Sequence, residues 1–115
     1  MRAFSLLTLL LPFVAAKLHK KCNCMSWDKG GSWVHNEVLS HYVCYEVYPS
    51  VAHWDDNAKV CVGNGGFDGE WIDGETWEND CKQSGIQDGY YPFGTDGMPD
   101  ESQKLIHVDA VSGSC

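Results

Sequence analysis

The longest apolar stretch of the chain comes first. Phe4 to Val14 is broken only by Ser5, Thr8 and Pro12. At about eleven residues it is roughly half of what a helix needs to cross a bilayer. Met1-Arg2 places a positive charge before it, and Val14-Ala15-Ala16 places small residues after it. That succession is the pattern of a cleavable secretory leader. We therefore expect a signal peptide over 1–16 and a single domain over 17–115, secreted to the extracellular space. No later segment is apolar enough to anchor in a membrane, and none repeats or turns into a low-complexity linker.

Beyond the leader the apolar positions fall in short runs. Cys22 to Trp27 reads as a strand that stops at the Gly30-Gly31 turn. Asn36 then stands where a helix N-cap belongs, with Glu37 in the first turn. Val38, Leu39, Tyr42, Val43 and Val47 recur at helical spacing and end before Pro49. The competing reading is a strand, because 41–48 is rich in β-branched and aromatic residues. Val60-Cys61-Val62 is a short strand halted by Gly63-Asn64-Gly65-Gly66, and Phe67–Ile72 is expected to be its partner.

Asp73-Gly74 resembles a two-residue hairpin turn, but a helix start satisfies more signals at once. Asp73 would cap, Ile72 would pack on Trp77 as a hydrophobic staple, and Glu75 and Glu78 would sit early. Lys82 would lie in the last turn and Gly85 at the end, with Trp77 and Cys81 on one face. The final strand is read from Leu105–Val111, with Ile106, Val108 and Ala110 pointing inward. A long connection, Ile86–Gln103, holds two Asp-Gly pairs and two prolines, and such connections are often functional. The resulting order, strand–helix–strand–strand–helix–strand, predicts an α+β fold, a small disulfide-stabilised split βαβ (ferredoxin-like) sandwich. In that layout the first and last strands are neighbours, which brings Cys22 close to Cys115.

Composition adds the redox setting. The chain has six cysteines, Cys22, Cys24, Cys44, Cys61, Cys81 and Cys115, an even number that reads as three disulfides in a short secreted domain. Zinc sites usually show close Cys-x2-Cys or Cys/His pairs; here only Cys22 and Cys24 are close, with one residue between them, so no metal is expected. Beyond Cys22–Cys115 the connectivity stays open. After the leader, seven lysines face sixteen carboxylates and no arginine is left. Nucleic acid needs clustered cations, so it is excluded as a partner, and anionic membranes are disfavoured. Lys20-Lys21 reads as a solvated tail, with dibasic processing as the rival.

Candidate catalytic chemistry is thin. A small ribonuclease would need acid–base groups and cationic stabilisation of the transition state. His35, His41, His53 and His107 with Glu37 and Glu46 supply the first but not the second, since lysine lacks arginine's bidentate geometry. A glycosidase needs two placed carboxylates. Asp68, Glu70, Asp73, Glu75, Glu78 and Asp80 are abundant without being paired, and read as a solvated acidic face. Asn64–Glu75 echoes a calcium loop, but Asn64 and Gly66 weaken or lose two ligand positions. We expect no catalytic residues and no cofactor.

Five tryptophans and five tyrosines are a heavy aromatic load for so small a domain. Trp71 and Trp77 are assigned to the core. Tyr90, Tyr91 and Phe93 lie in the long connection, where burial and a binding role are both open; Tyr and Trp dominate binding hot spots. Trp27 and Trp33, flanking the glycine turn, form a second candidate patch.

The chain resembles the small cysteine-rich secreted proteins of fungi. The likeness is carried by a leader followed by Lys17-Leu-His-Lys-Lys-Cys-Asn-Cys24, by spaced single cysteines and by Trp71–Gly85. Many such proteins are effectors released into host tissue, and some are similar to killer-toxin subunits with an α/β sandwich. The resemblance implies a virulence-related, monomeric, non-enzymatic interaction protein that binds a host or competitor macromolecule. The alternatives are a cell-wall polysaccharide-binding module or a killer-toxin-like antimicrobial protein. Many relatives have a doubled cysteine where this chain has single Cys44 and Cys81, so no disulfide map carries over.

Overall fold

The computed structural model describes residues 18–65 and 71–115, which form an α+β domain of two helices, antiparallel strands and three disulfides. The strands are β1 (Leu18–His19), β2 (Lys21–Trp27), β3 (Val34–His35), β4 (Ala52–Asp55), β5 (Val60–Gly63), β6 (Ile72–Asp73) and β7 (Ala110–Ser114). The helices are α1 (Glu37–Val47) and α2 (Gly74–Lys82), and α2 runs on into a π-helical turn, Gln83–Asp88.

β2 is the hub of the sheet. Its alternation of buried Cys22, Cys24 and Ser26 with partly exposed neighbours puts one face on the helices. In an antiparallel strand the backbone groups of alternate residues turn to opposite edges. Lys20 O accepts from Gly63 N, and Cys24 O accepts from Asn36 N. Even-numbered residues therefore face β5 and then β3, whereas β7 runs along the other edge from Asn23 to Trp27. β4 closes the far side against β5, with Trp54 opposite Cys61.

α1 forms despite its β-prone composition because its N-terminus is fixed by side-chain chemistry. Asn36 Oδ1 accepts from Leu39 N at 2.9 Å, while Asn36 Nδ2 donates to Ser26 Oγ and to Tyr90 OH. One amide thus caps the helix and pins it to β2 and the long connection. The buried side is Leu39, Ser40, Val43 and Cys44. Val38 and Val47, expected inside, are exposed. The helix is rotated because Cys44 must reach Cys61, and Ser40 Oγ accepts from the buried Cys24 N at 2.7 Å.

α2 starts as its sequence predicts. Asp73 accepts from the backbone N of Thr76 at 2.9 Å and from its hydroxyl at 2.7 Å. Ile72, Trp77 and Cys81 are fully buried, and Trp77 Nε1 donates to Asn23 O. The helix does not stop at Gly85. It widens there, and a Cβ on Gly85 would lie 2.8 Å from Val111 and 2.9 Å from Leu39, so glycine lets the turn press into the core.

Three further expectations need correction. The middle strand pair is β4 with β5, not 60–62 with 67–72; among the described residues of the latter segment Ile72 joins a strand, pairing with His19 of β1. Phe67–Glu70 lies outside the described residues. The last strand is Ala110–Ser114, shifted toward the C-terminus, and its neighbour Ile106 makes only an isolated bridge with Tyr90. Val108 and Val111 are the buried residues there, while Ile106 and Ala110 are half-buried. Trp71 is half-buried rather than core, lying beside Gly65 with Lys20 Nζ 6.0 Å from its ring.

The disulfides are Cys22–Cys115, Cys24–Cys81 and Cys44–Cys61, spanning 93, 57 and 17 residues. They join the chain ends, β2 to α2, and α1 to β5. Bridges of this kind are each worth about 2–4 kcal/mol, large beside the core of a small domain. They mark a protein suited to an oxidising compartment. No helix among the described residues is long and apolar enough to cross a membrane.

Candidate aromatic binding site

α1, β4 and the long connection meet at a cluster of rings. His41 and Tyr45 lie one turn apart on α1 and so share a face. The His41 ring is sandwiched: Phe93 stacks on one side at 3.6 Å between centroids and Trp54 on the other at 4.6 Å, with planes within 8°. Tyr45 meets Phe93 edge-on at 5.9 Å. Beside the stack is an open pocket of about 280 Å³ lined by His41, Cys44, Tyr45, Pro49, Ala52, His53 and Trp54. The rings are only partly buried, and Tyr45 keeps 37 % of its surface exposed.

The charges around this cluster are defined. Burial between the rings lowers the His41 pKa; Asp56 opposes that fall and Lys59 adds to it. Asp56 is held below the usual carboxylate range by the hydrogen bond and charge of Lys59, 3.1 Å away, with a contribution from the Trp54 side chain. Asp55 is held low by the backbone N–H groups of Ala58 and Asn57. His53 Nδ1 lies 2.7 Å from Asn64 Oδ1. The site is thus an apolar, ring-lined surface with an acidic end.

The segment Tyr90–Phe93 divides. Tyr90 is 3 % exposed, tilted against Tyr42 and hydrogen-bonded to Asn36; burial raises its pKa, and the Asn36 bond pulls the other way. It is a structural residue. Tyr91 is half-buried, and Phe93 joins the ring stack. Trp27 is half-buried with its indole donating to Gly31 O at 2.9 Å. Trp33 stands 50 % exposed outside the stack. Sequence reading did not single out His41, Tyr45 and Trp54 as members of one aromatic cluster. The i, i+4 spacing of His41 and Tyr45 was a usable signal, but the contact with Phe93 spans too much sequence to be read from spacing.

The pocket brings together His41 and His53, while His35 lies on β3 and His107 precedes β7. No group of three or more His, Cys, Asp or Glu placed to hold a metal occurs among the described residues. The calcium-loop segment falls partly outside them. No family model, curated protein sequence or solved structure matches the chain.

Proposed function

We propose that the chain is a secreted, non-enzymatic, effector-like interaction protein that binds a partner protein through the face built by His41, Tyr45, Trp54 and Phe93. The observation that carries this reading is the half-exposed ring stack beside an open pocket. Aromatic anchors in a pocket with a polar rim are the usual energetic centre of a protein–protein contact. Polysaccharide binding fits less well. Sugar rings need coplanar aromatic faces, whereas here both faces of His41 and one face each of Trp54 and Phe93 are spent on one another.

Three disulfides and the apolar leader support secretion. For the fold, β7-β2-β5-β4 is antiparallel throughout, with α1 connecting β2 to β4 and α2 connecting β5 to β7. That order supports a split βαβ arrangement carrying β1, β3 and β6 as additions.

The test uses the secreted product of the full-length chain, with its N-terminus and disulfides read by mass spectrometry. It is incubated with chitin, cellulose and xylan, and cross-linked in extracellular fluid of candidate host tissue. The expected result is no retention on polysaccharide, and protein cross-links that are lost in Trp54→Ala while the fold is kept. Retention on a polysaccharide that depends on Trp54, or cross-links indifferent to it, would overturn the reading.

A further inference from the structure

β4 pairs on one side only among the described residues. Asn64 N donates to Val51 O at 2.9 Å, which fixes the register. By alternation, His53 and Asp55 turn their backbone groups to β5, and Ala52 and Trp54 turn theirs outward. Ala52 N is taken by Tyr48 O at 3.1 Å. Ala52 O and both backbone groups of Trp54 have no partner among the described residues. Open edges of this kind are usually blunted by charged side chains, proline or short length; this four-residue edge has no lysine or proline, and its one charge enters at its end, at Asp55.

The open edge and the ring pocket are one feature. Ala52 and Trp54 point to the α1 side, where they line the pocket with His41, Cys44 and Tyr45. A strand laid along β4 would send alternate side chains to that same side, one of them over the pocket. The edge then runs into Asp55 and Asp56, two carboxylates held ionised, and Asp56 is 82 % exposed. Lys59 offsets part of that charge, but the chain as a whole carries −8.

Resting on the reading of this face as a partner site, we propose that it works by strand addition. The occupant is a short extended segment of a partner protein, with an apolar side chain for the pocket and a lysine or arginine for Asp55 and Asp56. Backbone hydrogen bonds to Trp54 give affinity, and the pocket and carboxylates give selectivity, as in other edge-strand recognition.

The probe is a panel of fluorescent six-residue peptides alternating lysine with leucine, valine, tyrosine or tryptophan, titrated into the full secreted protein by anisotropy. Glutamate-for-lysine and backbone N-methylated versions are run beside them. At least one lysine peptide is expected to bind, at least tenfold more tightly than its glutamate and N-methylated versions. Bound peptide is expected to slow amide exchange at Trp54. Asp56→Lys, an exposed change that leaves the core alone, should weaken binding about tenfold. Failure of every lysine peptide, or equal binding of the N-methylated ones, overturns strand addition. The partner-site reading is judged separately by cross-linking, which uses no peptide. Dimerisation in sedimentation velocity that Asp56→Lys alters would also overturn the proposal, since the edge would then be taken by a second copy.

Discussion

Replacing Ser40 with alanine removes one oxygen from the centre of the domain, and its cost follows from the sheet geometry. β2 meets β5 at Lys21 and Cys22 and meets β3 at Met25 and Ser26. The backbone N–H of Cys24 faces that same edge in the gap between the two strands. Ser40 Oγ fills the gap, accepting from Cys24 N at 2.7 Å, while its own hydroxyl donates to Asn36 O at 2.7 Å. Both Cys24 and Ser40 are 0 % exposed, so no water can take over. An orphaned buried donor costs about 1–3 kcal/mol, and alanine returns roughly half a kcal/mol of helix propensity. The net expectation is a loss of about 1.5 kcal/mol, which lowers Tm by roughly 6–12 °C in a domain of this size. Thermal unfolding with disulfides intact measures it. Ser26→Ala is the control, because Asn36 Nδ2 still has Tyr90 OH when Ser26 Oγ is gone, and it should cost less. A Ser40→Ala protein within about 0.5 kcal/mol of the parent, the range of neutral surface changes, would refute the reasoning.

Three further outcomes are expected. Gly113→Ala would place a Cβ 2.6 Å from Glu78 Cα and 2.8 Å from its Cβ, forcing β7 and α2 apart. A loss of about 1–3 kcal/mol in urea unfolding is the expected size for overpacking. Removing Cys24–Cys81 should cost about 1 kcal/mol more than removing Cys44–Cys61, because the loops span 57 and 17 residues and closure entropy grows with the logarithm of length; paired double-alanine variants measure this. The His41 pKa is lowered in the folded protein by burial, so the unfolded chain takes the proton more readily. Its contribution to stability is present above the ordinary histidine pKa and is lost as pH falls below that value toward the folded pKa. A His41→Gln variant should show a flatter stability profile there.

Both helices were legible because each starts on a side-chain cap that sequence can display, Asn36 for α1 and Asp73 for α2. The hub strand was legible as a short run stopped by the Gly30-Gly31 turn, and the Cys22–Cys115 bridge followed from placing the first and last strands side by side. β4 was not, because Ala52-His53-Trp54-Asp55 alternates over only four residues and has no β-branched residue. It is a strand through pairing with β5 and closure by the Lys59 turn, whose backbone has φ 61°. The last strand slipped because Val108 is buried through a loop contact, with its N–H donating to Gly85 O, rather than through a ladder. The site suffered most. Tyr90 and Phe93 are three residues apart, yet one is absorbed by Asn36 and the other by His41. Their partners lie some fifty residues away, and local pattern does not carry that information.

The central claim is that the Trp54–His41–Phe93 face, with Tyr45, is where a partner protein docks. Hydroxyl-radical footprinting of the secreted protein, alone and in extracellular fluid that yields cross-links, tests it most directly. The expected result is protection of Tyr45, Trp54 and Phe93 with Trp33 unchanged. Protection at Trp33 and Trp27 with the ring stack still reactive would contradict it.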